Sequence, residues 1–225
     1  MKKSMIIAID GPVGSGKGTL AVKLAKRLNA VYIYTGGMYR ALALACLRES
    51  LDLHNEEKVL DLLGRISIEL RLEELGTRVF LNGEEVSDEI FKPEISRVTP
   101  IIAALPTVRK EMVSRQKKMI EEKSVVIEGR DIATDVAPDA DLKIYLTADI
   151  NMRAKRRFEQ LKKRRIEILF EEVLYEVQER DRKDRERQAS PLIITPDAYV
   201  LDTTNLTIKE TVEKVIEKLK EKGVA

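Results

Sequence analysis

The chain has 225 residues, enough for one large domain or for a core carrying inserted parts, and long enough to bury a sizeable interior. Forty basic and 38 acidic residues leave a formal charge of +2, which excludes the bulk charge asymmetry of a dedicated nucleic-acid or membrane-surface protein. A single cysteine, Cys46, excludes an internal disulfide and suits a reducing compartment.

Residues 1–10, MKKSMIIAID, begin like a signal peptide, but the apolar run stops at Asp10 after five residues, too short for a secretory h-region. No later apolar stretch approaches the ~20 residues of a membrane span. A soluble, cytoplasmic chain is expected. Residues 5–9 are apolar and β-branched, the make-up of a buried strand. A helix is predicted over 17–28, with Leu20, Leu24 and Leu28 on one face. Residues 31–34 read as a second strand, followed by a helix from 36 to about 49, where Cys46 reads as core and not as a nucleophile. Residues 66–92 break this rhythm. They alternate apolar and polar, and Asn82-Gly83 signals a hairpin, so a small antiparallel insert is expected. Residues 124–127, 142–146 and 198–201 supply three more strands. Residues 151–190 are highly charged and predicted helical, with the basic clump KKRR at 162–165 between helices. That clump is either a solvated connection or a mobile segment facing phosphates. The last helix opens on a capping box from Thr207 to Glu210 and carries Val212, Val215, Ile216 and Leu219 as its apolar stripe. Strands alternating with helices predict an α/β fold, an open parallel five-stranded sheet flanked by helices.

Four segments carry chemistry. The first is DGPVGSGKGT at 10–19, in which Gly11, Gly16 and Lys17 fit the phosphate-binding pattern Gly-x-x-x-x-Gly-Lys-[Ser/Thr] between a strand and a helix. Its glycines let backbone N–H groups turn toward a phosphate, and the helix N-terminus adds partial positive charge. The hydroxyl due after the lysine is missing: Gly18 stands there, and Thr19 comes one place late, where it could meet a phosphate oxygen or a metal-bound water. The second is TGGMYR at 35–40, where Thr35 is expected as an N-cap with Arg40 one turn in, a second anion site or a plain capped helix. The third is IEGRD at 127–131, a strand end presenting Arg130 and Asp131 where open parallel sheets bind ligands; the alternative is a structural ion pair. The fourth is ERDRKDRER at 179–187, in which Arg180, Asp184 and Arg187 share a helical face. His54 is the sole histidine and lies in a predicted loop, so no Ser–His or Cys–His dyad and no histidine metal site is possible.

Together with LPTVR at 105–109 and APDADLKIYL at 137–146, these segments resemble the bacterial-type cytidylate kinases, nucleoside monophosphate kinases of the P-loop class, almost end to end. The resemblance implies a single P-loop kinase domain over 1–225. Its core would comprise 1–35, 105–157 and 188–225, its acceptor-binding part with the β insert 36–104, and its helical lid 158–187. It implies ATP as phosphoryl donor, CMP and dCMP as acceptors, and Mg²⁺, with no protein side chain assigned as a metal ligand. Gly11, Pro12, Val13, Gly14, Ser15, Gly16, Lys17, Gly18 and Thr19 would hold the ATP phosphates. Arg40 and Arg130, with Thr35, would hold the acceptor phosphate. Arg109, Asp131 and Arg187 would read cytosine, and Arg180 with Asp184 the ribose. Arg153, Arg156 and Arg157 would lie at the lid base, Arg156 toward ATP. Lys17, Arg130, Arg153 and Arg157 form the implied catalytic set. Two positions depart from the family pattern. Pro100, preceded by Thr99, replaces a serine near the base, and Lys183 replaces an arginine.

A phosphate-oxygen acceptor needs no general base, in keeping with the lone His54, so alignment and charge neutralisation remain as the work to be done. Residues 158–178 are expected to move over the site and exclude water. A monomer is expected, with no nucleic acid or membrane partner. The alternatives are a P-loop kinase acting on UMP, AMP or a small metabolite, a nucleotide-binding module without catalysis, and a minor RNA-binding role through KKRR.

Overall fold

Residues 4–73, 76–121 and 123–224 are described by the structure, a computed structural model. Its main sheet contains β1 (Ile6–Asp10), β2 (Val31–Tyr34), β6 (Val125–Gly129), β7 (Leu142–Thr147) and β8 (Tyr199–Asp202), ordered β2-β6-β1-β7-β8. Every pairing in it is parallel. β6 is buried along its whole length, as expected of a central parallel strand covered on both faces. On one face, α1 (Lys17–Leu28) and α8 (Ile208–Glu221) pack Leu20, Leu24, Val212, Val215, Ile216 and Leu219 against Ile7, Ile9, Val126 and Ile144. The other face carries Ile33, Val125 and Ile127 against a π-helical turn at Ile132–Val136 and α5 (Pro106–Met119).

The expected insert is a second, three-stranded antiparallel sheet of β3 (Ile68–Glu73), β4 (Gly76–Leu81) and β5 (Glu84–Glu85). Asn82 and Gly83 form its two-residue turn with φ of 50° and 82°, the doubly left-handed geometry that Asn-Gly favours. It packs with α2 (Thr35–Arg48), α3 (Glu56–Arg65), α4 (Pro93–Ile102) and α5 around a separate apolar cluster, which includes Leu42, Cys46, Leu62, Val79, Ile90, Ile102 and Met112. Cys46 is fully buried there, and burial pushes its thiol up to about 11, in line with a packing role. A further cluster, with Ala154, Leu161, Val173 and Val177 at its centre, joins α6 (Ile150–Lys163) to α7 (Phe170–Glu186) and takes in Val13 of the glycine loop.

One expectation needs correction and another holds in part. Thr35 is not an N-cap: the cap position is Tyr34, and the Thr35 hydroxyl donates to the Glu128 carbonyl across the sheet at 2.7 Å. The KKRR segment is split: Lys162 and Lys163 close α6, and Arg164 and Arg165 form the turn between α6 and α7.

Candidate active site

All four chemical segments meet at the C-terminal edge of the parallel sheet, the position at which such sheets bind ligands. The loop leaves β1 at Asp10, whose carboxylate accepts the backbone N–H groups of Ile132 (3.0 Å) and Ala133 (2.8 Å). Burial raises the Asp10 carboxyl to about 6, against the pull of those two bonds. Gly11 has φ 150°, and a Cβ there would lie 2.0 Å from the Leu146 carbonyl of β7. Gly16 caps α1 with φ 95°, a left-handed conformation that glycine adopts without steric cost. Lys17 is buried and donates to the Pro12 carbonyl at 2.7 Å and to Ser15 Oγ at 3.3 Å. Burial and the neighbouring Arg130 lower its ammonium to about 7, offset in part by Glu128, Asp184 and Asp10. Thr19 is exposed on α1.

Beside the loop runs a chain of alternating charges. Arg109 meets Asp131 at 2.6 Å, and both are buried. Arg187 stands 3.9 Å from Asp131 and 3.8 Å from Asp184, and Asp184 holds Arg130 at 2.6 Å. Arg180 feels the same Asp184, but burial and the cations Arg40 and Arg130 lower it to about 10. Arg40 is buried and donates to the Ile90 carbonyl at 2.8 Å and Ser96 Oγ at 2.9 Å. Several buried groups here have no hydrogen-bond partner among the described residues: the Tyr39 hydroxyl, Arg109 Nε and Arg180 Nε. A cluster with surplus buried donors suits an anionic, acceptor-rich ligand.

The three arginines of α6 separate by environment. Arg153 is buried and donates to the carbonyls of Ala148 (2.9 Å) and Val13 (3.0 Å) and to Asp181, which also accepts the Val13 N–H. Arg156 donates to the Thr203 hydroxyl at 2.9 Å and its carbonyl at 2.7 Å. Arg157 is half-buried, and burial together with repulsion from Arg40 lowers it to about 10. KKRR is exposed, as a solvated connection is, yet Arg164 stacks 3.7 Å over the Phe91 ring. Thr99, beside Pro100, is buried and donates its hydroxyl to the Ile95 carbonyl of its own helix. His54 is exposed before α3.

The family model for cytidylate kinase matches residues 7–221. The chain belongs to the cytidylate kinase family. Among its cytidylate kinase relatives, one from Caldanaerobacter subterraneus subsp. tengcongensis is 48% identical over 214 residues, covering 95% of this chain and 94% of the relative. Another, from Bacillus subtilis (strain 168), is 44% identical over 223 residues, covering 99% and 100%. A shikimate kinase from Acinetobacter baumannii, solved with shikimate, superposes with a TM-score of 0.50 at 13% identity, covering 100% of this chain and 97% of that one. At that identity the likeness is one of fold.

The sequence of this cytidylate kinase family member pointed to the cations of the site and to Asp131 and Asp184, but not to Asp181, which pairs with Arg153. Glu128, which accepts the Tyr32 hydroxyl at 2.8 Å, sits inside the IEGRD segment without a role. Asp10, Tyr39 and Asp181 lie inside quoted segments too. A charged or phenolic residue within an otherwise apolar or cationic run was the available signal.

Proposed function

We propose that the chain transfers the γ-phosphoryl group of ATP to CMP and dCMP, giving ADP with CDP or dCDP. The observation that supports this most is the buried chain Arg109–Asp131–Arg187–Asp184–Arg130, which ends close enough to Lys17 to shift its titration. One anion at the loop and a second, base-bearing anion along this chain would bring two phosphates together over Lys17 and Arg130. The loop from Gly11 to Thr19 with Arg156 takes the ATP phosphates. Arg40 and Arg130 take the acceptor phosphate, with Thr35 contributing through the free N–H groups of the α2 start. Arg109, Asp131 and Arg187 read the base, and Arg180 with Asp184 the ribose.

The acceptor oxygen is anionic near neutral pH, so the residues supply no base; they hold the two phosphates in line and neutralise the charge between them. Planar arginine forks suit that task. Arg157 and, once freed from Asp181, Arg153 complete the cationic set. No group of three or more acidic, His or Cys side chains among the described residues could hold a metal. That donor set fits Mg²⁺ carried largely by phosphate oxygens and water. Bound there, Mg²⁺ would shield the negative charge of the β- and γ-phosphates. We assign 1–35, 105–157 and 188–225 to the core, 36–104 to acceptor binding and 158–187 to the lid.

The proposal is of a cytoplasmic monomer acting on the small molecules CMP, dCMP and ATP, without a nucleic-acid or membrane partner. No helix among the described residues is long and apolar enough to cross a membrane. A coupled assay of ADP release across CMP, dCMP, UMP and AMP tests the function: turnover highest with CMP or dCMP is expected, and a preference for UMP or AMP overturns it.

A further inference from the structure

Val13 of the glycine loop is held on both sides of its backbone by one buried ion pair. Its N–H donates to Asp181 Oδ1 at 3.2 Å, and its carbonyl accepts from Arg153 Nη1 at 3.0 Å. The same Arg153 nitrogen donates to Asp181 Oδ2, which closes a ring of three residues. Arg153 Nε donates to the Ala148 carbonyl at 2.9 Å, just beyond the end of β7, and so fixes the guanidinium to the sheet. Asp181 is 3% exposed and Arg153 4%. Stability alone is a weak reason for so buried a pair, because apolar residues of the same volume commonly do as well.

The two partners come from different parts of the molecule. Arg153 stands in the first turn of α6 and Asp181 on α7, within the proposed lid. The Val13 side chain packs into the α6–α7 cluster. A Cβ on Gly14 would lie 2.5 Å from the Arg153 carbonyl, so loop and helix are in close contact. On α7, Asp181 directly follows Arg180 and precedes Asp184 by three positions. One helical turn therefore carries both a grip on the loop and the two residues proposed for the acceptor ribose. Asp184 extends the connection to β6 through Arg130 at 2.6 Å.

We propose that Asp181 is a positioning residue that couples the two nucleotide sites. An acceptor that orders the Arg180–Asp184 turn of α7 sets, through Asp181, the place of Val13 and with it the donor loop. Asp181 touches neither nucleotide in this role. Its Oδ1 bonds Val13 directly, so the link persists when Arg153 turns toward the phosphates. The role rests on the donor and acceptor sites proposed above. It adds a reciprocity that those sites do not require: each nucleotide strengthens the other by the same factor.

Calorimetry on the full chain measures affinity for a non-hydrolysable ATP analogue with Mg²⁺, in the presence and absence of saturating CMP. The ratio of the two affinities is the coupling. Failure of the wild-type chain to bind the analogue or CMP overturns the proposed function itself. Given binding of both, a ratio of about 5 or more is expected in the wild type, the lower end of measured couplings between sites. A ratio near unity there overturns the role of Asp181. Asp181→Ala is expected to bring the ratio to near unity. A purely structural Asp181 would weaken the analogue equally with and without CMP, so an unchanged ratio in Asp181→Ala overturns the proposal. Should that variant fail to fold, Arg153→Met combined with Asp181→Leu carries the test, since removing both charges together avoids a buried unpaired one. Loss of coupling in the double variant supports the proposal, and coupling equal to the wild type overturns it.

Discussion

Lys17 carries an acid–base consequence. Its ammonium sits at about 7, lowered first by burial and then by Arg130. Above that pH the free protein holds it largely neutral, and phosphates placed beside it restore its ordinary basicity. ATP binding is thus expected to take up nearly one proton at pH 8 and almost none at pH 6. Its affinity should fall as pH rises from 7 toward 10. Calorimetry in buffers of different ionisation enthalpy measures the uptake; none at pH 8 would show that Lys17 is already charged. Asp131 acts differently, because it holds Arg109 at 2.6 Å in a buried pair. Asp131→Ala leaves that guanidinium uncompensated and removes the proposed base contact. A rise in the CMP Michaelis constant of about 10²-fold is expected, the scale of losing one buried charged partner, with the ATP constant little changed. A rise confined to the ATP constant would place Asp131 on the donor side.

At the scale of elements, the strands were legible because a parallel strand covered on both faces shows as an unbroken apolar run, as in β6. The sequence reading assigned no helix to α4 or α5. Each starts at a proline, Pro93 and Pro106, and α4 contains Pro100 as well. Proline at a first turn is favourable, but read along a sequence it looks like an interruption. The last helix was legible from its ends. Thr207 donates its N–H to Glu210 Oε2 at 2.8 Å, and the Glu210 N–H returns to Thr207 Oγ1 at 3.3 Å. Thr207→Ala is expected to lower stability by ~1 kcal/mol in urea unfolding, with an unchanged denaturant slope. No loss would mean that packing of the α8 stripe alone sets the helix start.

Over the whole molecule, the site is assembled by contacts that no local pattern announces. Arg130 finds Asp184 54 positions away, and Val13 finds Asp181 168 positions away. Motif spacing therefore revealed the cations together with Asp131 and Asp184, but not which cation each carboxylate holds, and it left Asp181, the partner of Arg153, unassigned. Another contact between residues far apart in sequence joins the proposed lid to the acceptor part. Phe91 lies under Arg164 at 3.7 Å and is stacked with Tyr34 at 6.2 Å between ring centroids. Phe91→Ala is expected to lower the ratio of transfer to CMP over transfer to water by about 2–5-fold, the factor matching ~0.5–1 kcal/mol for a cation–π contact. Parallel measurement of CDP and free phosphate gives the ratio, and an unchanged value would remove Phe91 from closure. Cys46 would make the proposed lid closure observable. Its thiol is fully buried and pushed up to about 11, so it stays silent toward thiol reagents at neutral pH. A cysteine introduced at Leu169, which is 65% exposed beside the start of α7, would be the one reactive thiol in the chain. Paired with another at Glu84, the first residue of β5, it would give a two-colour ruler between the proposed lid and the acceptor part without removing any native residue of the core.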